Sequence, residues 1–238
     1  MRNVKFILSP DRRCCRRALC ILVFLGFSGF AIGQDARVVF LKGPYLQGPG
    51  EDTMTIKWES SASGTGVVHY GLECKQDRQL GVEAPRSMAA ESYVSVTNVA
   101  DNGETNITRN TVTQQVYLYA AGLSNLQSES VYSYSVEMDG QQTAPKKFKT
   151  LGKHQAKLTI VAYGDNRSNP TLHAAVAANF KRYSPDFILH MGDLVGEGRR
   201  YELWGKEFFG PLANVLDEIP ILPSLGNHEQ DEIGRAHV

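Results

Sequence analysis

Three apolar runs in this chain end in glycine followed by a polar donor. "KLTIVAYGD" closes on Gly164-Asp165, "DFILHMGD" on Gly192-Asp193, and "ILPSLGNHE" on Gly226-Asn227-His228-Glu229. Carboxylate and amide oxygens are hard ligands that suit divalent or trivalent metal ions. An imidazole beside them can hydrogen-bond an anion or move a proton. Glycine lets the backbone turn sharply and pass close to a ligand. A single Asp after a strand is most often a turn or a helix cap. Three such ends, the last continuing as Asn-His-Glu, point to one shared site.

Shared use requires the three ends to meet, and the elements around them supply the means. Each run is short, continuous and apolar, the mark of a strand buried on both faces of a parallel sheet. Helical segments separate them. In "NPTLHAAVAANFKRY" Asn169 can cap and Pro170 suits the first helical position. The spacing predicts an apolar face of Leu172, Ala175, Val176, Phe180 and Tyr183, ended by Pro185. "RYELWGKEFFGPLANVLDEI" reads as mostly helical with an interruption at Gly210-Pro211. Strands alternating with helices imply parallel pairing, and ligands then bind outside the carboxyl ends of the strands.

The preceding region, 37–150, has a different grammar. "TMTIKWES", "TGVVHYG", "QQVYLYAA", "SVYSYSVEMDG" and "APKKFKT" alternate apolar and polar residues, the pattern of half-buried strands. Asp139-Gly140 is a hairpin turn signal. About seven short strands over this length suit an immunoglobulin-like or fibronectin-type sandwich. Trp58 is expected in its core, and "LSNLQSESVYSYSV" could place a tyrosine at a corner. The stretch from Gln79 to Asn110 reads as an irregular hairpin with long loops. Leu151 to Lys157 reads as a linker.

Residues 1–33 carry six of the 25 basic residues and one of the 25 acidic ones, followed by an apolar run ending in Ala31-Ile32-Gly33. That run is shorter than the ~20 residues a membrane-spanning helix needs. The pattern is that of a secretory leader, cleaved near Gln34, with an N-terminal anchor as the alternative. Removal leaves 19 basic against 24 acidic residues, so a formal charge of 0 becomes −5. A general nucleic-acid binder needs a basic footprint, so nucleic-acid binding is not expected. Three of the four cysteines also lie in the leader, so Cys74 is expected alone, without a disulfide. At the other end "EIGRAHV", 232–238, fits nothing before it. It is read as a non-native tail resembling translated sequencing adapter, with the natural chain expected to continue.

"YGDNR", "HMGDLV" and "LGNHE" resemble the first three blocks of the calcineurin-like metallophosphoesterases. With the sandwich in front, the chain is similar to bacterial relatives of the purple acid phosphatases. The resemblance implies a four-layer α/β/β/α domain, of which 157–231 is the first half. It also implies two metal ions (Fe, Zn or Mn) and hydrolysis of a phosphate ester, more a monoester than a diester, by a metal-activated hydroxide. Carried over residue by residue, Asp165 binds one metal, Asp193 bridges both, and Asn227 binds the second. His228 hydrogen-bonds the phosphate and assists the leaving group. The pattern departs from the family at two places. Arg167 stands where a histidine ligand or a glycine is usual, and arginine cannot ligate. Gly196 stands where the purple enzymes carry a tyrosine ligand, so the protein should not be purple. Arg167 is expected to bracket the phosphate, with an ion pair to a nearby carboxylate as the alternative. The family's later histidine ligands have no counterpart after Asp231, so the 238-residue product is expected to have little activity.

Other residues read more plainly. His190 is expected to be a buried, hydrogen-bonded histidine and His173 a surface or capping one, with His69 and His154 solvated. Glu229 is expected to support its loop, and Trp204, Phe208 and Phe209 to fill the core. The overall expectation is a secreted or periplasmic phosphoesterase with a phosphate-ester substrate and no membrane span after leader removal. The rival expectation is a non-catalytic surface binding module on a degenerate scaffold.

Overall fold

The computed structural model describes residues 40–82, 86–99, 105–153 and 157–230. The leader, the 232–238 tail and His154 lie outside them. Nine strands come first: β1 (Phe40–Gln47), β2 (Met54–Ser60), β3 (Gly66–Leu72), β4 (Arg78–Val82), β5 (Arg86–Val99), β6 (Thr105–Leu123), β7 (Val131–Met138), β8 (Gln141–Gln142) and β9 (Lys146–Lys149). They form two antiparallel sheets. One has the order β1-β2-β6-β5; the other runs β4-β3-β7-β8, with β9 also paired to β7. Alternation along the strands turns Ile56, Trp58, Tyr119 and Ala121 of one sheet toward Val68, Tyr134, Val136 and Met138 of the other, and all eight are buried. Trp58 stacks on Tyr119 with ring centroids 4.9 Å apart and donates from Nε1 to Met138 Sδ at 3.0 Å. The tyrosine corner is Tyr132, whose hydroxyl accepts from the Gln127 amide at 2.7 Å. Asp139 and Gly140 both have positive φ, 50° and 71°, as a tight hairpin turn between β7 and β8 demands.

Three expectations for this region change. From Gln79 to Asn110 the backbone is largely regular. β4 is followed by a long ribbon in which β5 pairs with β6 from Arg86↔Leu118 to Val99↔Thr105. In "SYVSVTNV" and "TNITRNTV" the apolar residues are few and irregularly spaced among Ser, Thr and Asn, so no period-two pattern shows in the sequence. Cys74 is disulfide-bonded. The expectation of a lone thiol rests on removal of the other three cysteines with the leader. His69 is also engaged: its Nε2 lies 2.7 Å from Glu137 Oε2 across the β3–β7 pair.

Three further strands, β10 (Ile160–Tyr163), β11 (Phe187–His190) and β12 (Ile221–Pro223), pair in parallel in sequence order. On one face Val161, Tyr163, Ile188 and Ile221 pack against Ala177, Phe180, Trp204 and Phe208. The opposite face exposes Ile160, Leu189 and Leu222. One sheet of the implied four-layer architecture is thus present among the described residues.

Helix α1 (Pro170–Ala177) starts as the sequence predicts, with Asn169 Oδ1 accepting from the Leu172 amide at 3.0 Å and Pro170 in the first turn. Its inward face differs. His173 and Ala177 are buried, together with Phe180 of the following 3-10 turn, whereas Leu172, Val176 and Tyr183 are exposed. The helix rolls toward His173 because that imidazole finds hydrogen-bond partners in the interior at both ring nitrogens. The segment 201–212 continues through Gly210-Pro211 without a break. It runs as a helical turn at Tyr201–Leu203, a π-helix at Trp204–Phe209 and a helical turn at Gly210–Leu212. Trp204, Phe208 and Phe209 are buried as expected.

The sandwich and the parallel sheet belong to one compact unit beginning at Ala36. Tyr45 of β1 sits in the core of the second region, its ring 5.1 Å from Phe209. Leu46 N donates to Leu216 O at 2.9 Å, and Tyr134 Oη donates to Asp217 O at 2.9 Å. Between the halves Lys42 Nζ meets both Glu59 carboxylate oxygens at 2.9 Å, with the two side chains 4% and 2% exposed. Tyr201 Oη donates to the same carboxylate, and the Lys42 ammonium lies 3.6 Å from the Tyr201 ring centre. Burial pulls the Lys42 pKa down to about 8, against the upward pull of Glu59.

Candidate active site

The three strand ends meet. Just past β10, Asp165 N donates to Gly192 O at 3.0 Å, which ties the first end to the second. Just past β11, Asp193 Oδ1 accepts from His228 N at 3.3 Å, which ties the second end to the third. Asp165 and Asp193 both take left-handed backbone conformations, φ 55° and 56°. Aspartate tolerates this region better than most residues, but it is uncommon and gathers at functional sites.

Two glycines make the approach possible. A Cβ on Gly226 would lie 2.0 Å from Asp193 Oδ1, and one on Gly192 would lie 2.8 Å from the Gly226 backbone. Gly192 also has φ 98°. Side chains at either position would push the second and third ends apart. Asn227 therefore stands between two residues, Gly226 and His228, that both lie against Asp193.

Glu229 holds this crossing from beneath, as the sequence suggested. It is fully buried and accepts from Asp193 N at 3.0 Å, Val195 N at 3.0 Å and Gly226 N at 2.8 Å. His228 Nδ1 lies 2.6 Å from Gly196 O. A carbonyl can only accept, so Nδ1 carries the proton.

Arg167 takes the second of its two expected arrangements. Its Nη1 donates to Asp165 Oδ1 and to Asp193 Oδ2 at once. One positive centre thus sits against both carboxylates assigned to metal. The two carboxylates thus lie close enough to share one cationic group, and their oxygens are hard donors. The set is sparse: among the described residues no group of three or more His, Cys, Asp or Glu side chains could hold a metal ion.

Under the site lies a network that the sequence reading missed. Gly192 N donates to His190 Nδ1 at 3.2 Å, so the His190 proton is on Nε2, which donates to Asn166 Oδ1. Asn166 Nδ2 donates to Leu194 O at 3.0 Å. His173 Nδ1 donates to Glu207 O at 2.8 Å, and its Nε2 accepts from Tyr163 Oη at 3.1 Å. Both imidazoles are neutral in this arrangement. Burial, reinforced by the nearby His173, pulls the His190 pKa down to about 4, and burial also lowers that of His173. His173 is therefore a buried network member, not a surface residue. Glu207, in the π-helix, accepts from Gly196 N at 2.7 Å through Oε2. No spacing rule pointed to Asn166 or Glu207. The polar residue next to Asp165 was the available signal for the first, and π-helical turns that mark functional sites are not legible in sequence.

The comparisons match the two regions separately. Residues 42–150 match the family model "Purple acid Phosphatase, N-terminal domain", and residues 141–237 match "Calcineurin-like phosphoesterase". The second region is thus similar to the calcineurin-like phosphoesterases. The two matches support a phosphoesterase-family scaffold preceded by a purple acid phosphatase-type sandwich. No curated protein sequence matches this chain. Among solved structures it is similar to PhoD at 11% identity and a TM-score of 0.50, over 79% of this chain and 39% of that one. At that identity the likeness shows the fold alone. The chain spans about two fifths of the length of PhoD. The sensor domain of the anti-sigma factor RsgI4 in Pseudobacteroides cellulosolvens aligns over 52% of this chain and 100% of its own, at 10% identity and a TM-score of 0.29. The third fibronectin III domain of human KIAA0343 aligns over 56% and 96%, at 12% and 0.25. Neither of these bears on function.

Proposed function

We propose that this chain is the metal- and phosphate-handling portion of a secreted or periplasmic phosphomonoesterase. The observation that carries the reading is the meeting of three strand ends, with Asp165 and Asp193 sharing one cation and His228 bonded to Asp193. Asp165, Asp193 and Asn227 would hold the metal ions. Bound there, two ions would supply Lewis acidity toward water and phosphate oxygens. His228, its Nδ1 proton fixed on Gly196 O, would present Nε2 to the phosphate and carry a proton to the departing alkoxide. Arg167 would offer its planar fork to two phosphate oxygens. The basic, apolar leader supports export. No helix among the described residues is long and apolar enough to cross a membrane.

With two carboxylates and one amide as donors, the 238-residue chain should bind metal and phosphate yet turn over ester slowly. The test is calorimetric titration of inorganic phosphate with and without Mn²⁺, alongside a chromogenic phosphomonoester assay. Metal-dependent phosphate binding that disappears in Asp193→Asn, with turnover near background, is expected. Binding indifferent to both metal and Asp193 would overturn the reading. A non-catalytic binding module is the second reading, favoured by the seating of Arg167 on both carboxylates. It requires phosphate binding that needs Arg167 and no metal.

A further inference from the structure

We propose that Arg167 is a built-in competitor for metal, so that an oxyanion and a metal ion reinforce each other's binding at this site. The inference rests on the reading of Asp165 and Asp193 as metal ligands. Arg167 Nη1 contacts Asp165 Oδ1 and Asp193 Oδ2 together, which puts a permanent positive charge against the oxygens a metal would take. A guanidinium cannot shed its proton at any pH the fold survives, so the competition cannot be relieved by deprotonation. It can be relieved only by moving the charge to another anion.

The geometry allows that exchange. The Asp165 side chain is 74% exposed and that of Arg167 27%, so one arm of the ion pair stands in water, where such pairs are weak. Asp193 is the firmer partner at 16%. The backbone on either side of Arg167 is committed: Asp165 and Ser168 hold φ 55° and 70°, and Asn166 is anchored to His190 and Leu194. Only the side chain has to swing. A tetrahedral oxyanion offers two oxygens that match the guanidinium fork at least as well as two separate carboxylates. When Arg167 turns to the anion, Asp165 and Asp193 are released to the metal. When metal arrives first, Arg167 loses both partners and is freed for the anion. Linkage requires the two effects to be equal in size. The consequence is a site that resists idle loading and fills when both phosphate and metal are present.

The test uses the 238-residue chain and its Arg167→Gln variant, which removes the charge and keeps most of the side-chain volume. Mn²⁺ affinity is measured by electron paramagnetic resonance of free ion, with and without saturating inorganic phosphate, against buffer blanks for Mn²⁺–phosphate pairing. In the wild type phosphate should tighten Mn²⁺ by about tenfold, inside the usual 5–150-fold range of coupling between sites. Arg167→Gln should bind Mn²⁺ about tenfold tighter without phosphate and gain little from it. Equal Mn²⁺ affinity in both proteins without phosphate would overturn the competition while leaving the metal site standing. So would equal tightening by phosphate in both, since the anion would then act through the metal alone. Failure of both proteins to bind Mn²⁺ under any condition overturns the metal reading and this inference together.

Discussion

Acid should loosen this protein through His190. The imidazole is buried; its Nδ1 accepts from Gly192 N and its Nε2–H is donated to Asn166. Protonation would put an N–H against the Gly192 N–H in the turn that carries Asp193. The folded pKa of about 4 lies below the 6.5 of an unfolded histidine, so between the two values the unfolded chain binds more protons. Stability therefore falls as pH drops below 6.5, and the loss is complete only below about 4. Each pH step between those values costs ~1.4 kcal/mol, so acidification from pH 7 to about 4.5 should cost roughly 2–3 kcal/mol through this residue. His173, also held neutral by burial, acts in the same direction. Urea unfolding at the two pH values measures the total. His190→Gln keeps an acceptor and a donor but does not titrate, so its stability should fall by roughly 2–3 kcal/mol less over that range. Equal falls in wild type and variant would refute the reasoning. If the variant does not fold, the ring proton shifts of His190 decide. A midpoint near 6.5 would show that the network does not hold the neutral form.

Glu229→Ala removes the acceptor of three buried backbone amides and should cost about 3 kcal/mol or more in urea unfolding, with loss of Mn²⁺ binding. Gly226→Ala puts a methyl onto Asp193 and should abolish metal and phosphate binding in titration calorimetry. Gly122→Ala, where a Cβ meets nothing within 4 Å, should leave both binding and melting temperature nearly unchanged. Lys42→Met strands Glu59 in the interior and should cost about 3–5 kcal/mol, whereas the double change Lys42→Met with Glu59→Leu should recover much of it, read from a double-mutant cycle.

What was legible in the sequence follows from how local each signal is. Strand ends closing on Gly-Asp announce themselves within a few residues, and their convergence follows from parallel pairing. Glu229 could be assigned as a loop support because the turn before it is short. The interior partner of a helix is not local. Leu172 and Val176 looked inward by apolar spacing, yet α1 turns His173 in, since Tyr163 and Glu207 wait there from two other segments. The β5–β6 ribbon was hidden for a related reason. Its pairing stabilises Ser- and Thr-rich strands that show no hydrophobic period. Arg167 is excluded as a ligand by its chemistry alone, but its choice between carboxylate and phosphate depends on how near Asp193 comes, which two glycines on other loops decide.

The buried Lys42–Glu59–Tyr201 contact has a bearing on modularity. Family comparison divides the chain into a front piece and a back piece, as though either could be shuffled into another gene. A recombinant joining this sandwich to a foreign partner would inherit a carboxylate with no hydroxyl to meet it and an aromatic ring, Tyr45, with no pocket to enter. The seam therefore acts as a compatibility check between the halves. It favours their inheritance as a matched pair, even though the chemistry resides in only one of them.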